Sequence, residues 1–215
     1  MNACIGIVSY FPDNEYRTVR VARCSDLILR CREVFGLPMV IVAQNWNNEI
    51  AVTEDMTVES YGLPLTILGA RQALCTHFLA SNYDYLIMFD DDCILEGTSE
   101  DGQRFLNTLS NNPNKYLKKD NQFKLFAISK NAYERFALPP LGVENGTGIE
   151  DMAFFAILKH SAPEDEITGF EWDGLKDASV WRNDQATTWH RQNIPQLIQN
   201  TKRYIQEQTG TLGNR

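Results

Sequence analysis

The sequence predicts an α/β domain built on a mainly parallel sheet. Three observations lead to this fold class. Short apolar runs at residues 3–9 and 39–43 have the length and composition of buried strands. A helical stripe that begins near Thr18 lies between them, and this strand–helix–strand order implies a right-handed parallel crossover. The chain has 215 residues, enough for one sizeable domain with a full core.

Later segments continue the alternation less regularly. Further strands are predicted at 57–61, 85–89 and 123–129, and further helices at 68–81, 103–109, 150–160 and around 194–205. We expect an exposed polar loop at 111–121, a mobile Pro- and Gly-rich stretch at 139–148 and an irregular aromatic stretch at 172–189. The alternation of strands and helices in the first half favours helices flanking one central sheet.

The apolar run from Tyr85 to Phe89 passes directly into Asp90, Asp91 and Asp92. The run is too short for a helix and predicts a central strand buried on both faces. Its carboxyl end is where open α/β sheets bind ligands. Like charges this close repel, so the triplet needs a cation, raised pKa values or both. We predict a divalent metal site; the alternative is a solvated acidic turn, which the apolar residues that resume at Cys93 disfavour.

Composition narrows the compartment and the partners. The formal net charge of -8 disfavours a broad electrostatic grip on nucleic acid or on an anionic membrane, although a local basic patch stays open. The five cysteines form no C-x-x-C pair, which indicates reduced thiols. No basic leader and no apolar run of membrane-spanning length are present. We therefore expect a soluble cytoplasmic protein without a membrane span.

Four motifs, taken in order over roughly residues 3–160, carry a family resemblance. They are Val8-Ser9-Tyr10, Gly69-Ala70-Arg71-Gln72, the stretch from Tyr83 to Asp92, and Gly148-Ile149-Glu150-Asp151-Met152-Ala153-Phe154. Together they resemble glycosyltransferases of the GT-A fold, and most of all the family two group. The resemblance implies a single GT-A (Rossmann-like) domain, with a nucleotide-sugar-binding half at 1–98 and an acceptor-binding half with a C-terminal lid and helix at 99–215.

The resemblance also implies an activity and a cofactor. Such an enzyme moves one sugar from a nucleotide-sugar, here a UDP-sugar, to a hydroxyl of a glycan, a protein or another acceptor, with inversion. The Asp cluster holds Mn²⁺ or Mg²⁺, ions that prefer hard oxygen ligands. Asp92 is then the main metal ligand, Asp90 and Asp91 face the ribose and donor sugar or share the ion, and His190 adds a ligand from the C-terminal region.

Several residues are candidates for binding the donor. Arg71 lies at the start of a predicted helix, where a helix N-terminus and a forked guanidinium both favour phosphate. Ser9, Tyr10, Gln44 and Asn45 follow the first two strands, where a base and a ribose are expected, and Tyr10 is placed to stack on the base.

Glu150 and Asp151 are the candidates for catalysis. An inverting transferase needs a carboxylate that takes the proton of the acceptor hydroxyl. The family pattern gives this role to Asp151 and an orienting role to Glu150, while the alternative is a charge pair that stabilises a helix start. Trp172, Trp181 and Trp189 are interpreted either as sugar-stacking residues or as part of a small C-terminal core.

Two other functions stay open. A nucleotidyltransferase, which makes nucleotide-sugars, normally carries a Gly-rich basic loop after its first strand, whereas residues 10–14 here contain no glycine. A non-catalytic module that binds a carbohydrate or a nucleotide on the same fold is the other alternative, and no residue pattern distinguishes it from an enzyme.

Overall fold

A computed structural model describes residues 1–62, 65, 67–119, 125–136, 150–172, 174–177 and 185–210. The strands are β1 (Ala3–Tyr10), β2 (Met39–Gln44), β3 (Met56–Tyr61), β4 (Tyr85–Asp90), β5 (Cys93–Leu95), β6 (Tyr116–Lys118), β7 (Phe126–Ser129) and β8 (Leu175–Asp177). The α-helices are α1 (Arg17–Phe35), α2 (Ile67–Ala80), α3 (Ser99–Ser110), α4 (Lys130–Phe136), α5 (Glu150–Ser161) and α6 (Gln185–Thr209), and a 3₁₀ turn spans Pro163–Asp165.

A six-stranded sheet in the order β3-β2-β1-β4-β7-β6 organises the chain. The first four strands run parallel to one another, and β7 pairs antiparallel with both β4 and β6. The predicted mainly parallel α/β fold is thereby confirmed. The carboxyl ends of β1, β2, β3 and β4 all lie at one edge of the sheet. Immediately after β4, the short strand β5 pairs with β8 in a separate two-stranded sheet.

Two apolar layers cover the two faces of the sheet. Because side chains alternate along a strand, each buried strand contributes to both layers. One layer joins α1 and α3 to the sheet through residues such as Leu27 and Phe105. The other joins α2 and α5 to the opposite face through residues such as Leu74 and Phe155. Residues at the strand ends therefore point alternately toward the α1 side and the α2 side.

Helix α3 approaches α1 closely because it carries a glycine at the contact. A Cβ placed on Gly102 would lie 1.9 Å from the carbonyl oxygen of Val34. The start of α3 is fixed by a capping box, in which Thr98 and Asp101 exchange hydrogen bonds between side chain and backbone.

Lys130 fixes the end of α2. Its Nζ donates to the carbonyl oxygens of Leu79, at 3.0 Å, and Ser81. It also lies 5.5 Å from the ring centroid of Phe78. A lysine at these carbonyls satisfies groups that the helix leaves unpaired and complements the helix dipole. The helix whose first half carries Arg71 is thus held at its other end.

Several expectations for the second half are wrong. Residues 111–121 do not form only an exposed loop, because β6 lies there with Tyr116 and Leu117 buried. Residues 172–189 are not irregular throughout, because β8 and the first turn of α6 fall within them. The short elements β5 and α4 were not anticipated, since neither has a sustained periodic pattern. The stretch 139–148 lies outside the described residues.

The chemistry of the cysteines and the length of the helices add two findings. All five cysteines are free thiols, and all except Cys75 are buried. Across the residues that the structure describes, no helix combines the length and the apolar character needed to cross a bilayer.

Candidate functional site

The acidic turn, Asp90 to Asp92, lies at the carboxyl end of β4 and at the sheet edge where the other parallel strands end. The first two aspartates point to opposite faces, as alternation along a strand requires. Asp90 accepts from Arg71 Nη2 of α2 at 2.9 Å, and Asp91 accepts from Arg20 Nη2 of α1 at 2.9 Å. The two carboxylates are therefore paired with arginines from helices on opposite faces of the sheet.

Asp91 points into the protein. It is 5% exposed, and its second oxygen accepts from Ser9 Oγ at 2.8 Å and from the backbone N–H of Tyr10 at 3.2 Å. Burial raises the pKa of Asp91, while Arg20 and the two hydrogen bonds act in the opposite direction. Both oxygens of Asp91 thus bind groups of the fold itself.

Ser9 and Trp46 extend this buried network. Trp46 Nε1 donates to Ser9 Oγ at 3.0 Å, and Ser9 donates onward to Asp91. The indole ring stacks on Phe11 with a centroid distance of 5.3 Å and an interplanar angle of 8°. The sequence did not identify Trp46 or Arg20 as parts of the site. No local signal distinguishes Arg20 from the other arginines of α1, because its partner lies far along the chain.

Asp90 and Arg71, both predicted site residues, are brought together more openly. Their side chains are 29% and 12% exposed. Asp92, two residues further on, is half-buried in the same turn. Within the described part of the chain, no group of three or more His, Cys, Asp or Glu side chains converges as a metal site. Mg²⁺-like ions are commonly held by only one or two carboxylates, with waters and substrate phosphates completing the shell. Asp90 and Asp92 fit that kind of ion.

Three side chains form a row across the ends of β1, β2 and β3. Tyr10 is paired in register with Gln44, and Gln44 with Tyr61. Gln44 is 3% exposed, and its Nε2 donates to the carbonyl oxygen of Ser9 at 3.4 Å. Its Oε1 is a buried acceptor with no hydrogen-bond donor within reach in the described structure. Buried acceptors are normally paired, so an unpaired one at a ligand-binding edge is a candidate contact for a ligand.

Asn45 directly follows β2 and has a structural role next to the site. It has a positive φ of 57°, and its side-chain amide donates to the carbonyl oxygen of Phe11 at 2.9 Å. Its own carbonyl oxygen accepts from Arg17 Nη2 at 2.7 Å. Arg17 also forms a two-point ion pair with Glu49, at 2.9 and 2.7 Å. These contacts tie the loop after β2 to the loop after β1.

The remaining predicted site residues are placed only by their backbones. Glu150 and Asp151 begin α5, and His190 lies within α6, but their side chains lie outside the described part of the structure. Their proposed roles stay predictions. Trp172 is 7% exposed and packs edge-on against Phe35, with a centroid distance of 5.6 Å. Trp172 is therefore a core residue, but it packs in the main core on the α1 side of the sheet and not in a small C-terminal core.

The chain matches no family model and no curated protein sequence. It does resemble solved structures. Residues 1–349 of Staphylococcus aureus TarS match all of this chain and 67% of their own length, with a TM-score of 0.58 and 9% identity. The same TarS fragment in complex with UDP matches 74% of this chain and 55% of its own length, with a TM-score of 0.51 and 9% identity.

A cytidylyltransferase from Leptospira borgpetersenii is also similar. The match covers 93% of this chain and 96% of that chain, with a TM-score of 0.51 and 12% identity. At these identities the similarity establishes the fold. The protein therefore shares a mixed α/β fold with TarS and with this cytidylyltransferase.

Proposed function

We propose that the protein is a metal-dependent glycosyltransferase that transfers one sugar from a UDP-sugar to an acceptor hydroxyl. The observation that carries this proposal is the pairing of Asp90 with Arg71 at the carboxyl end of β4. A carboxylate and a guanidinium side by side match the two needs of a nucleoside diphosphate, a cation and a forked phosphate donor. The fold supports the proposal, and one protein that shares it, TarS, binds UDP in its crystal structure.

The acidic turn and α2 together receive the donor's diphosphate. Asp90 and Asp92 would hold Mn²⁺ or Mg²⁺, which when bound neutralises the charge that develops on the leaving diphosphate. Arg71 donates to a phosphate oxygen. Asp91 takes no direct part, because both of its oxygens are used inside the protein. His190 is proposed as an additional metal ligand from α6.

The row at the strand ends receives the nucleobase. Tyr10 offers a ring for stacking, and Gln44 Oε1 offers an acceptor that lacks a donor. Uracil presents an N3–H donor, whereas the corresponding nitrogen of cytosine is an acceptor. An accepting Gln44 therefore favours uracil, once the side chain turns toward the ligand. Ser9 and Asn45 support this region through their bonds to neighbouring groups rather than by contacting the base.

Catalysis requires a base near the acceptor. Asp151 takes the proton of the acceptor hydroxyl while its oxygen attacks the anomeric carbon of the sugar. The bond between that carbon and the diphosphate oxygen breaks at the same time, so UDP leaves and the configuration inverts. Glu150 orients the acceptor. Glycans, proteins and small hydroxyl-bearing molecules are all suitable acceptors on this proposal.

A nucleotidyltransferase is the second candidate, since the Leptospira cytidylyltransferase has nearly the same extent as this chain. Such an enzyme would bind a triphosphate along the loop after β1. Here two carbonyl oxygens of that loop, those of Phe11 and Pro12, accept from Arg17 at 3.1 and 3.4 Å. The arginine is thereby committed to the loop itself, which favours the glycosyltransferase.

Thermal unfolding with nucleotides tests the proposal. UDP and UDP-sugars with Mn²⁺ should raise the melting temperature, and EDTA should remove that rise, because a ligand of the native state stabilises it by mass action. Asp92→Asn should abolish the shift, and Asp26→Asn, a substitution of an exposed carboxylate on α1, should retain it. Release of UDP from a UDP-sugar then separates an enzyme from a binding module. If the melting temperature rises only with CTP together with a sugar phosphate, and not with UDP or UDP-sugars, the result would support the nucleotidyltransferase instead.

A further inference from the structure

One guanidinium joins the two loops that flank the proposed nucleobase site. Arg17 is the first residue of α1, and its Nη1 donates to the carbonyl oxygen of Phe11, in the loop after β1, at 3.1 Å. Its Nη2 donates to the carbonyl oxygen of Asn45, in the loop after β2, at 2.7 Å. Phe11 directly follows Tyr10, and Asn45 directly follows Gln44. The two side chains proposed to bind the base are therefore each one residue away from a contact of Arg17.

Two carboxylates complete the contacts of this guanidinium. Nε and Nη2 of Arg17 donate to the two oxygens of Glu49 at 2.9 and 2.7 Å, and Nη1 also donates to Asp13 at 3.0 Å. Together with the two carbonyl oxygens, these acceptors account for all five N–H groups that an arginine carries. The Arg17 side chain is only 18% exposed. Arg17 therefore bridges the loops as a fixed part of the fold, and it could contact a ligand only by giving up one of these bonds.

The loop after β2 has a conformation that needs such support. Three of its asparagines have positive φ angles, namely Asn45 (57°), Asn47 (46°) and Asn48 (62°). Left-handed backbone is unfavourable for residues other than glycine, although asparagine tolerates it better than most. Between them, Trp46 is turned inward and stacks on Phe11. Loss of the bridge from Arg17 would let this loop leave its conformation, and the end of β2 with it.

We propose that Arg17 is a positioning residue that holds Tyr10 and Gln44 in the arrangement that binds the nucleobase. This inference rests on the proposed function and deepens it, because it names a residue that sets the nucleotide affinity without touching the nucleotide. A site that is ordered before its ligand arrives loses little side-chain freedom on binding. Without Arg17 the two loops become loose, and the ligand must order Tyr10 and Gln44 when it binds.

Isothermal titration of Arg17→Gln with UDP, in the presence of Mn²⁺, tests the proposal. UDP should bind this variant more weakly than the wild type by about five-fold or more, because two side chains now lose their freedom on binding. Circular dichroism at the titration temperature shows whether the variant is folded. A residue that only stabilises the fold would lower the melting temperature and leave the affinity of the folded protein unchanged. Unchanged affinity in Arg17→Gln would therefore overturn the proposal.

Arg32→Gln is the matched control. Arg32 also joins α1 to a loop, since its Nε donates to Asp55 at 2.8 Å just before β3. This contact lies at the opposite end of the parallel strands, away from the proposed nucleobase site. UDP should bind this variant as tightly as the wild type. A loss of affinity equal to that of Arg17→Gln would overturn the positioning role.

A double-mutant cycle shows whether Arg17 acts through Tyr10. In the Tyr10→Ala background, the additional change Arg17→Gln should reduce the UDP affinity less than it does in the wild type, because one of the side chains that it positions is absent. A direct contact between Arg17 and the diphosphate would give the same loss in both backgrounds. Equal losses would therefore overturn the proposal.

Arg17→Lys separates the bridge from the charge. Lysine keeps the positive charge but lacks the planar fork that reaches both loops. UDP affinity should therefore stay as low as in Arg17→Gln. Full recovery of the affinity by lysine would show that a positive charge is sufficient, and this result would overturn the proposed bridge.

Glu49→Ala keeps the test decisive if the Arg17 variants do not fold. It removes two acceptors of the guanidinium at a half-buried side chain and leaves the arginine in place. UDP affinity should fall by about two- to five-fold, the range that a partly exposed ion pair supplies, and an unchanged affinity would overturn the positioning role. Absence of any UDP binding by the wild type, with or without Mn²⁺, would instead overturn the proposed function, and the positioning role with it.

Discussion

Arg20 of α1 and Asp91 of the acidic turn form an ion pair, 2.9 Å long, that is almost completely removed from solvent. It joins the first helix to the turn after β4, and Ser9 and Trp46 connect it to β1 and to the loop after β2. The middle residue of the acidic triplet is therefore part of the scaffold, while its neighbours remain at the edge of the sheet where a ligand can reach them.

Replacing Arg20 should destabilise the protein strongly. Arg20→Gln leaves the buried carboxylate of Asp91 without its cation, and breaking one partner of a buried pair costs about 3–5 kcal/mol. Chemical denaturation at neutral pH measures the loss. Arg104→Gln, which removes an exposed ion pair with Asp101, should cost much less, because solvent screens that pair. Equal losses in the two variants would contradict the buried role of Arg20.

Replacing Gln44 should change the preference for the nucleobase. Gln44→Leu keeps a similar volume but removes the acceptor, so UDP should lose affinity by about five- to ten-fold, the value of one hydrogen bond. CDP affinity should change little, so the ratio of UDP affinity to CDP affinity should decrease. Competition binding of the two nucleotides measures this preference. Gln103→Leu, on the exposed side of α3, should leave it unaltered, and an unaltered preference in Gln44→Leu would remove Gln44 from base recognition.

Replacing Asp151 should separate binding from turnover. Asp151→Asn lacks the base that takes the acceptor proton, so kcat should fall by about two to four orders of magnitude. The melting-temperature shift with UDP and Mn²⁺ should stay at the wild-type value, because UDP binds on the face of the anomeric carbon that is opposite to the base. Near-normal turnover would exclude Asp151 as the base.

The Arg32–Asp55 pair should give the stability a defined acid dependence. Hydrogen bonds from Arg32 and Thr53 lower the pKa of Asp55 from 3.8 to about 2 in the folded protein. The lowered pKa contributes stability that is present above the unfolded value and is lost as the pH falls toward about 2. Arg32→Gln should therefore be less stable than the wild type above about pH 4, by under about 1 kcal/mol for so exposed a pair, with the difference closing at lower pH. A difference independent of pH would contradict the assignment.

A methyl group at Gly102 should destabilise the protein despite a better helix propensity. Ala is favoured over Gly in a helix by about 1 kcal/mol, but here its Cβ would overlap the Val34 carbonyl oxygen. We expect a net loss of about 1–3 kcal/mol for Gly102→Ala, the range for overpacking. Gly62→Ala, where the added Cβ meets no atom of the described residues within 4 Å apart from its chain neighbours, should be neutral or slightly stabilising. Thermal unfolding distinguishes the two.

The elements that the sequence predicted well are those whose signal is local. These elements are the apolar runs of β1, β2 and β4 and the helical stripe of α1. Each pattern lies within one short stretch of sequence, so it can be predicted without knowledge of the fold. Strand β6 could not, because its two buried residues, Tyr116 and Leu117, are enclosed by polar residues. Their burial depends on β7 lying beside them.

The candidate site was predictable in place but not in detail. The position of the acidic turn follows from the strand that precedes it. The inward direction of Asp91 depends on Arg20, and Arg20 is identified only when α1 is packed against the sheet. The same holds for Trp46 and Ser9, which meet because β2 lies next to β1. Contacts between distant segments cannot be deduced from the residues near either partner.

The pairing of β5 with β8 has a consequence for how the protein is made. Cys93, which directly follows the acidic turn, pairs with Asp177 of β8, which lies more than 80 residues further along the chain. During synthesis on the ribosome, the first four strands can assemble as soon as they emerge, since domains fold from their amino-terminal part onward. The small second sheet must wait for its distant partner strand. The segment after Asp92 therefore becomes ordered later than β4, which precedes the turn, so the site is not complete until β8 has been synthesised.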